Sequence, residues 1–310
     1  MNIIFFGSDD FAAVHFQSVI DSKHKIVACV TQPDRPKGRG MKVVLSEIKV
    51  CAKAHNIPIL QPGSLKAGGI AGELRKFQSN IFVVIAYGQF LPTEILNIPS
   101  QGAINVHGSL LPKYRGAAPI NWAIINGEKE TGVSIIQINE HMDAGDVLAE
   151  IKVIISSDDT SRTLRAKMMK KGPSLLLKTL DDIEEDRCTP AAQDHSQATF
   201  APKLTKELGV IQWTKKADEI NNLVRGLLPW PSAYSSYNGK SLKILEAQIV
   251  EKDCSQKGPG TVIEVSKEGI AVATGSNGLL IKKVHLQDSK PMDAYSFVVG
   301  HQLQVGFQFK

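Results

Sequence analysis

The run Ile81-Phe-Val-Val-Ile-Ala86 constrains the fold of this 310-residue chain more than any other feature. An unbroken apolar run this short, without polar alternation, is satisfied by a strand covered on both faces. Similar runs recur at Ile3–Phe6, Lys25–Thr31, Ala103–His107, Val133–Ile138 and Val147–Ile155. Between them, helical spacing of apolar residues marks Phe11–Ile20, Leu45–His55, Ala67–Phe77 and Pro119–Ile125. Strands alternating with helices predict an α/β fold, a doubly wound and mostly parallel sheet. Ligands of such sheets bind beyond the carboxyl ends of the strands.

The pattern changes after residue 155. Thr160–Glu185 reads as a long helix with Thr160 as its N-cap and Leu164, Met168, Leu175 and Leu176 on its apolar face. Gly172-Pro173 is expected to kink or divide it. From Arg187 to about Leu208 the chain is polar and irregular, the composition of a linker. A short helix over Lys216–Leu227 follows. Short strands then succeed one another at Ala233–Tyr237, Leu242–Ile249, Gly260–Val265, Gly269–Ala273, Leu279–His285 and Gln302–Phe309, separated by Gly-containing turns. These predict a small C-terminal β-barrel of oligonucleotide-binding (OB-like) type. The expected organisation is residues 1–187, a catalytic domain; 188–208, a linker; and 209–310, the barrel.

Composition excludes several classes. No apolar run approaches the roughly 20 residues of a membrane helix, and the start, Met1-Asn2-Ile-Ile-Phe-Phe-Gly7, lacks a basic segment and reads as a first strand. The four cysteines (Cys29, Cys51, Cys188, Cys254) have no paired spacing, which fits a reducing cytoplasm and neither a zinc site nor a disulfide framework. No metal is expected, since the histidines show no ligand spacing. Gly7-Ser-Asp-Asp-Phe-Ala lacks the glycine spacing of a dinucleotide site. The net charge of +5 is uneven: residues 200–310 hold 14 Lys and Arg against 10 Asp and Glu, leaving +4. A basic accessory domain suits a polyanionic partner.

The chemistry concentrates in Asn105-Val-His107-Gly-Ser109-Leu-Leu-Pro112 and Met142-Asp143-Ala-Gly-Asp146. Asn105 and His107 are two apart, so on a strand they face the same side. An amide can hold a polarised carbonyl oxygen, an imidazole can move a proton near neutral pH, and a carboxylate can orient that imidazole. Each residue alone serves equally well as a turn former. The Gly- and Pro-rich continuation through Lys113-Tyr-Arg115-Gly116-Ala-Ala-Pro119 favours a shaped loop near a ligand. His141, two residues before Asp143, is a further candidate. The stretch Gln32–Val43 carries Arg35, Lys37, Arg39 and Lys42 with one acid, Asp34. It is either a solvated basic loop or a phosphate contact. Lys203, Lys206, Lys215, Lys216 and Arg225 could continue such a path.

The segment Asn-Val-His-Gly-Ser-Leu-Leu-Pro-Lys-Tyr-Arg-Gly-Ala-Ala-Pro-Ile, then Glu130-Thr-Gly-Val133 and Met142-Asp143-Ala-Gly-Asp146, resembles the formyltransferase family that uses 10-formyltetrahydrofolate. The match is densest over residues 83–150. The wider layout, with Thr31–Gly40 and Trp230-Pro-Ser-Ala233, is similar to the members that act on methionyl initiator tRNA. The resemblance implies a Rossmann-like catalytic domain, with Asn105, His107 and Asp143 as the catalytic trio. It implies that Ser109, Leu110, Leu111 and Pro112 line the folate pocket, with Ala86, Tyr87, Gly88 and Gln89 as a second wall meeting the pterin through the backbone. It also implies that Arg35, Lys37, Arg39, Lys42, Lys203 and Lys206 contact the tRNA, Arg39 foremost, and that the chain works as a monomer. The chain departs from the family at Gly7-Ser-Asp-Asp-Phe11, where Thr-Pro-Glu is more usual before Phe, at Ala144, commonly Thr, and at Glu207-Leu-Gly-Val-Ile-Gln-Trp213. None of these touches the trio.

The reaction expected is direct attack by the methionyl amine on the formyl carbon, since no activated Ser or Cys nucleophile lies near the trio. Two alternatives stay open at this point: the same chemistry on an amino-sugar nucleotide or glycinamide ribonucleotide, and an RNA-binding protein with a vestigial α/β domain.

Overall fold

The computed structural model describes residues 1–37, 42–66, 69–252, 254 and 256–310, without the side chains of 35–37 and 42–44. The chain forms two compact units. One comprises Met1–Gly116, Thr131–Ile154 and Arg165–Phe200; the other comprises Ala117–Glu130, Ile155–Leu164 and Ala201–Lys310.

The first unit is built on a seven-stranded sheet. Its order across the sheet is Val147–Ile154, Glu130–Gln137, Ala103–His107, Ile81–Ile85, Asn2–Gly7, Lys25–Val30 and Ile59–Leu60. From Ala103–His107 to Ile59–Leu60 every neighbour is parallel. Ala103–His107 meets Glu130–Gln137 antiparallel. The expected doubly wound, mostly parallel sheet is therefore present.

Alternation explains the layering. Ile4 and Phe6 pack with Leu74 and Ile95, and Phe5 meets Phe16 edge-on at 5.0 Å between ring centroids. All of these are essentially inaccessible to water. Full burial of each such side chain stabilises by roughly 1.5–3 kcal/mol. Helix Asp10–Ile20 starts where the Asp9 carboxylate accepts from the Ala12 N–H at 3.0 Å. Helices Glu47–Ala54 and Ile70–Arg75 are shorter than the sequence pattern suggested, and Ile59–Leu60 is a strand that the pattern did not reveal. The segment expected as a basic loop begins and ends in a small ladder, Arg35–Lys37 against Lys42–Val44.

Helix Ser161–Glu184 runs unbroken past Pro173, so the expected division does not occur. The residue before the proline, Gly172, lies against helix Asp10–Ile20. A Cβ there would lie 2.4 Å from His15 Nε2, so only glycine lets the helix sit this close to helix Asp10–Ile20. Thr160 does cap the helix: its hydroxyl accepts from the Thr163 N–H at 3.2 Å.

The second unit carries an antiparallel sheet in the order Ala233–Tyr237, Lys240–Val250, Gly278–Leu286, Gly269–Ala273, Val262–Ser266, with Met292–Asp293 beside Gly278–Leu286. The expected last strand, Gln302–Phe309, is absent. The residues before it, Ala294–His301, form a helix that the pattern did not reveal, capped by Asp293, and Gln302 leaves it in the left-handed conformation at φ 51°. The pattern misled because Leu303, Val305, Phe307 and Phe309 alternate as in a strand, whereas Leu303 and Phe309 are buried from an irregular chain and Val305 is left exposed.

The tail nevertheless fills the seam between the sheet's two ends. The Lys310 carbonyl accepts from the Ser236 N–H at 2.9 Å, Phe307 accepts from Val262 at 2.7 Å, and the Phe309 N–H donates to Gly260 at 2.9 Å. Phe309 stacks on Trp213 at 5.9 Å between ring centroids. Helix Ala217–Gly226 adds Ile220 and Val224 to the same core.

Candidate active site

The site of interest lies wholly within the first unit, at the carboxyl end of Ala103–His107. Val84 of the neighbouring strand pairs with Asn105, so the turn Ala86–Gly88 emerges beside it. Asp143 arrives from the loop after Glu130–Gln137. Its amide Nδ2 partner is Asn105, which donates to Asp143 Oδ1 at 3.2 Å. The Gly116 N–H donates to Asp143 Oδ2 at 2.8 Å, and His107 Nδ1 stands 3.7 Å from the same oxygen. The three residues singled out from sequence are thus brought together.

His107 is buried, and its Nε2 lies 2.9 Å from the Tyr114 carbonyl. A carbonyl only accepts, so Nε2 carries the proton and Nδ1 is the nitrogen turned to the carboxylate. Asn105 spends one N–H on Asp143, which leaves its second N–H for an incoming oxygen.

Asp143 holds φ 51°, a left-handed backbone that costs on the order of 1 kcal/mol for a residue with a side chain. Two features fix it. A Cβ on Gly145 would lie 1.9 Å from the Gln137 carbonyl, so the loop closes tightly on the preceding strand only because residue 145 is glycine. Gln193 Nε2 donates to the Asp143 carbonyl at 3.0 Å and to the Gly145 carbonyl at 2.6 Å. Arg115 in turn donates to Gln193 Oε1 from Nε at 3.2 Å and from Nη2 at 2.6 Å, and Nη2 lies 2.8 Å from His195 Nδ1. Arg115, Gln193 and His195 escaped the sequence reading. Arg115 stood inside the shaped loop, but nothing local marked Gln193, which lies in the polar stretch expected as linker.

The residues expected at a folate pocket divide. Ala86 and Gly88 are exposed with left-handed backbones (φ 47° and 84°), the open turn that a backbone-reading ligand requires. Gln89 accepts from the Leu65 N–H at 3.1 Å. The Tyr87 ring turns inward onto Phe6, and burial pushes its phenol up to about 12. Ser109 is fully buried and donates to the Lys113 carbonyl at 2.6 Å, while Leu111 is buried and Leu110 and Pro112 are half-buried. His141 is exposed.

Of the basic positions, Arg35 and Lys37 lie on one strand of the small ladder and Lys42 on the other, whereas Arg39 lies outside the described residues. Lys203 and Lys206 are exposed on the second unit, and Arg225 there is held by the Asp159 carbonyl at 2.6 Å and by Asn222, a structural employment.

Two other places bear on ligands. A cavity of about 680 Å³ in the second unit is lined by Lys267, Lys282 and Lys283 but equally by Glu246, Glu268 and Asp293, so its charges offset, and none of the trio lines it. His24, Asp181 and Glu184 bring possible metal-ligand atoms within 4.8 Å of one another. Lys23 already pairs with Asp181 at 2.9 Å and the terminal amine with Glu184 at 2.7 Å, which balances those carboxylates.

Comparison with known proteins agrees with this geometry. The family model described as "Formyl transferase" matches residues 1–180, and "Formyl transferase, C-terminal domain" matches 203–302. The methionyl-tRNA formyltransferase of Alkaliphilus oremlandii is 43% identical over 306 residues, covering 99% of this chain and 98% of that protein. That of Desulforamulus reducens is 44% identical over 306 residues, covering 99% and 96%. Among solved structures, the N-formyltransferase of Helicobacter canadensis, in complex with folinic acid and dTDP-3-aminofucose, superposes with a TM-score of 0.69 at 18% identity, covering 91% of this chain and 99% of that one, a likeness of fold. With both family models matched and near-full-length relatives above 40% identity, the chain belongs to the formyl transferase family.

Proposed function

We propose that this protein moves the formyl group of 10-formyltetrahydrofolate onto the α-amine of methionyl initiator tRNA. The observation that carries the reading is the convergence of Asn105 and His107 on the Asp143 carboxylate at the carboxyl end of the sheet. The names of the near-full-length relatives support the acceptor.

Bound formyl folate would supply an activated N-acyl carbon, and the neutral methionyl amine attacks it. The second N–H of Asn105 stabilises the negative charge that develops on the formyl oxygen; removing one such donor costs about 10²–10³ in rate. Asp143 accepts the proton that the amine loses, and His107 Nδ1, 3.7 Å away, shares it. The proton ends on the departing folate nitrogen, so the carboxylate is regenerated. His107 cannot turn to the substrate through Nε2 without giving up Tyr114, which makes Asn105 the principal oxyanion donor.

The open turn at Ala86 and Gly88, with Tyr87 and Gln89, and the segment Ser109, Leu110, Leu111, Pro112 form the folate walls of this reading. Buried Ser109 and Leu111 act by shaping the loop. Residues 1–187 serve as the catalytic domain, 188–208 as the joining segment and 209–310 as the tRNA-binding domain. Arg35, Lys37, Arg39, Lys42, Lys203 and Lys206 meet tRNA phosphates. The enzyme acts as a cytoplasmic monomer and needs no metal. Among the described residues no helix is long and apolar enough to cross a membrane.

Formyl transfer from labelled 10-formyltetrahydrofolate onto charged initiator tRNA tests the proposal, with elongator methionyl-tRNA and an amino-sugar nucleotide as alternative acceptors. Initiator tRNA should be strongly preferred, and Asp143→Ala should lose at least about 10²-fold in kcat. Preference for the amino sugar, or a folded Asp143→Ala enzyme with near-wild-type turnover, sinks it.

A further inference from the structure

Asp143 sits in a left-handed conformation on a loop whose Asp146 carbonyl accepts from the Gln137 N–H of the preceding strand at 2.9 Å, while the carbonyls of Asp143 and Gly145 are held from elsewhere. The group that holds them is Gln193, 50 residues away in sequence. Its side chain is 8% exposed and makes four hydrogen bonds, two accepted from Arg115 and two donated to Asp143 and Gly145. The chemistry of the position admits few side chains. Arg115 can only donate and the two loop carbonyls can only accept, so the bridging group must accept at one end and donate twice at the other. A primary amide does both; a carboxylate, an ammonium or a hydroxyl does not. Arg115 is itself buried, and the residue after it, Gly116, donates its N–H to the Asp143 carboxylate. Backbone and side chain of the Arg115-Gly116 pair therefore grip both the carboxylate and the backbone of the same residue.

We propose that Gln193 is a positioning residue for Asp143, anchored by Arg115, and that it sets the rate of formyl transfer without contacting either substrate. This rests on the reading of Asp143 as the residue that takes the amine proton. Gln193 fixes where the carboxylate stands relative to Asn105 and His107. Releasing it lets the loop relax from φ 51° and carries the carboxylate out of line. A misplacement of about 1 Å at a reacting group costs roughly 10²-fold in rate. Substrate binding, which uses other walls, is left as it was.

The test is Gln193→Glu. The carboxylate still accepts from Arg115 but cannot donate to Asp143 or Gly145. In the formyl-transfer assay kcat should fall by roughly 10- to 10²-fold, with KM for formyl folate and for methionyl-tRNA within about threefold of wild type. In an Asp143→Ala background the same change should add less than about twofold, because the residue through which it acts is gone. If Gln193→Glu does not accumulate folded, Arg115→Lys, which loosens the anchor while keeping the charge, should show the same kcat loss and the same non-additivity. A folded Gln193→Glu enzyme with wild-type kcat, or losses that multiply in the Asp143→Ala background, overturns the proposal while leaving the catalytic trio standing. Near-wild-type turnover by Asp143→Ala alone overturns the trio and the proposal with it, and the variant responsible tells the two failures apart.

Discussion

At the scale of single residues, position along a strand made Asn105 and His107 legible: spacing of two puts both side chains on one face whatever else the chain does. The groups that hold the Asp143 loop were not legible. Arg115 and Gln193 are 78 residues apart, and no local pattern encodes which amide will meet which guanidinium. His15 is a similar case. No spacing singles it out, yet the ring is fully buried, with Nδ1 donating to the Phe11 carbonyl at 2.7 Å. Burial is the main cause that lowers its pKa to about 4; the Phe11 bond opposes this and the nearby Arg165 charge adds to it. Below the ordinary value of 6.5 the unfolded chain takes up a proton that the folded chain refuses. Stability therefore falls as pH drops from about 6.5 to about 4, by up to about 3 kcal/mol, and this loss is absent at neutral pH. Urea midpoints measured across that window should decline in the wild type and decline less in His15→Leu. Equal slopes in the two proteins would assign the acid sensitivity elsewhere.

At the scale of elements, apolar periodicity located the strands and most helices, since a buried face leaves its period in the sequence. It failed where tertiary packing overrode local preference. The strand expected at Gln302–Phe309 does not form, and the helix before it, Ala294–His301, which brings Phe297 and Val298 to the core, was not revealed by the pattern. Helix Ser161–Glu184 continues through Pro173, and Gly172 beside it packs against His15, where a Cβ would not fit. The caps follow local chemistry more closely. Asp9 both caps helix Asp10–Ile20 and pairs with Arg165, but Arg165 keeps Asp10 if Asp9 is removed. Asp9→Ala should accordingly cost about 1 kcal/mol, the value of a cap, and little more for the half-exposed ion pair. Urea denaturation measures it; a loss above about 3 kcal/mol would mean that the ion pair carries the helix.

At the scale of the whole molecule, the chain closes its second unit with its last residues. The tail bonds to Ser236 at one end of the sheet and to Gly260 and Val262 at the other, and Phe309, 3% exposed, stacks on Trp213. Phe309→Ala should destabilise that unit by about 3–5 kcal/mol. It should shift the denaturant midpoint followed by tryptophan fluorescence, and an unchanged midpoint would show that the seam is held without the aromatic stack. The sequence by itself determined the class of fold, the parallel sheet, the family resemblance and the three residues that meet at the candidate site, because these rest on short-range periodicity and on a dense local motif. Only the tertiary structure decided that Gln193 clamps the Asp143 loop, that His15 is sealed from water, and that the segment expected as the last strand closes a seam without forming one. Each of those is a contact between segments distant along the chain. Such contacts are selected by which closed arrangement buries its polar groups satisfied, and local sequence carries no record of that choice.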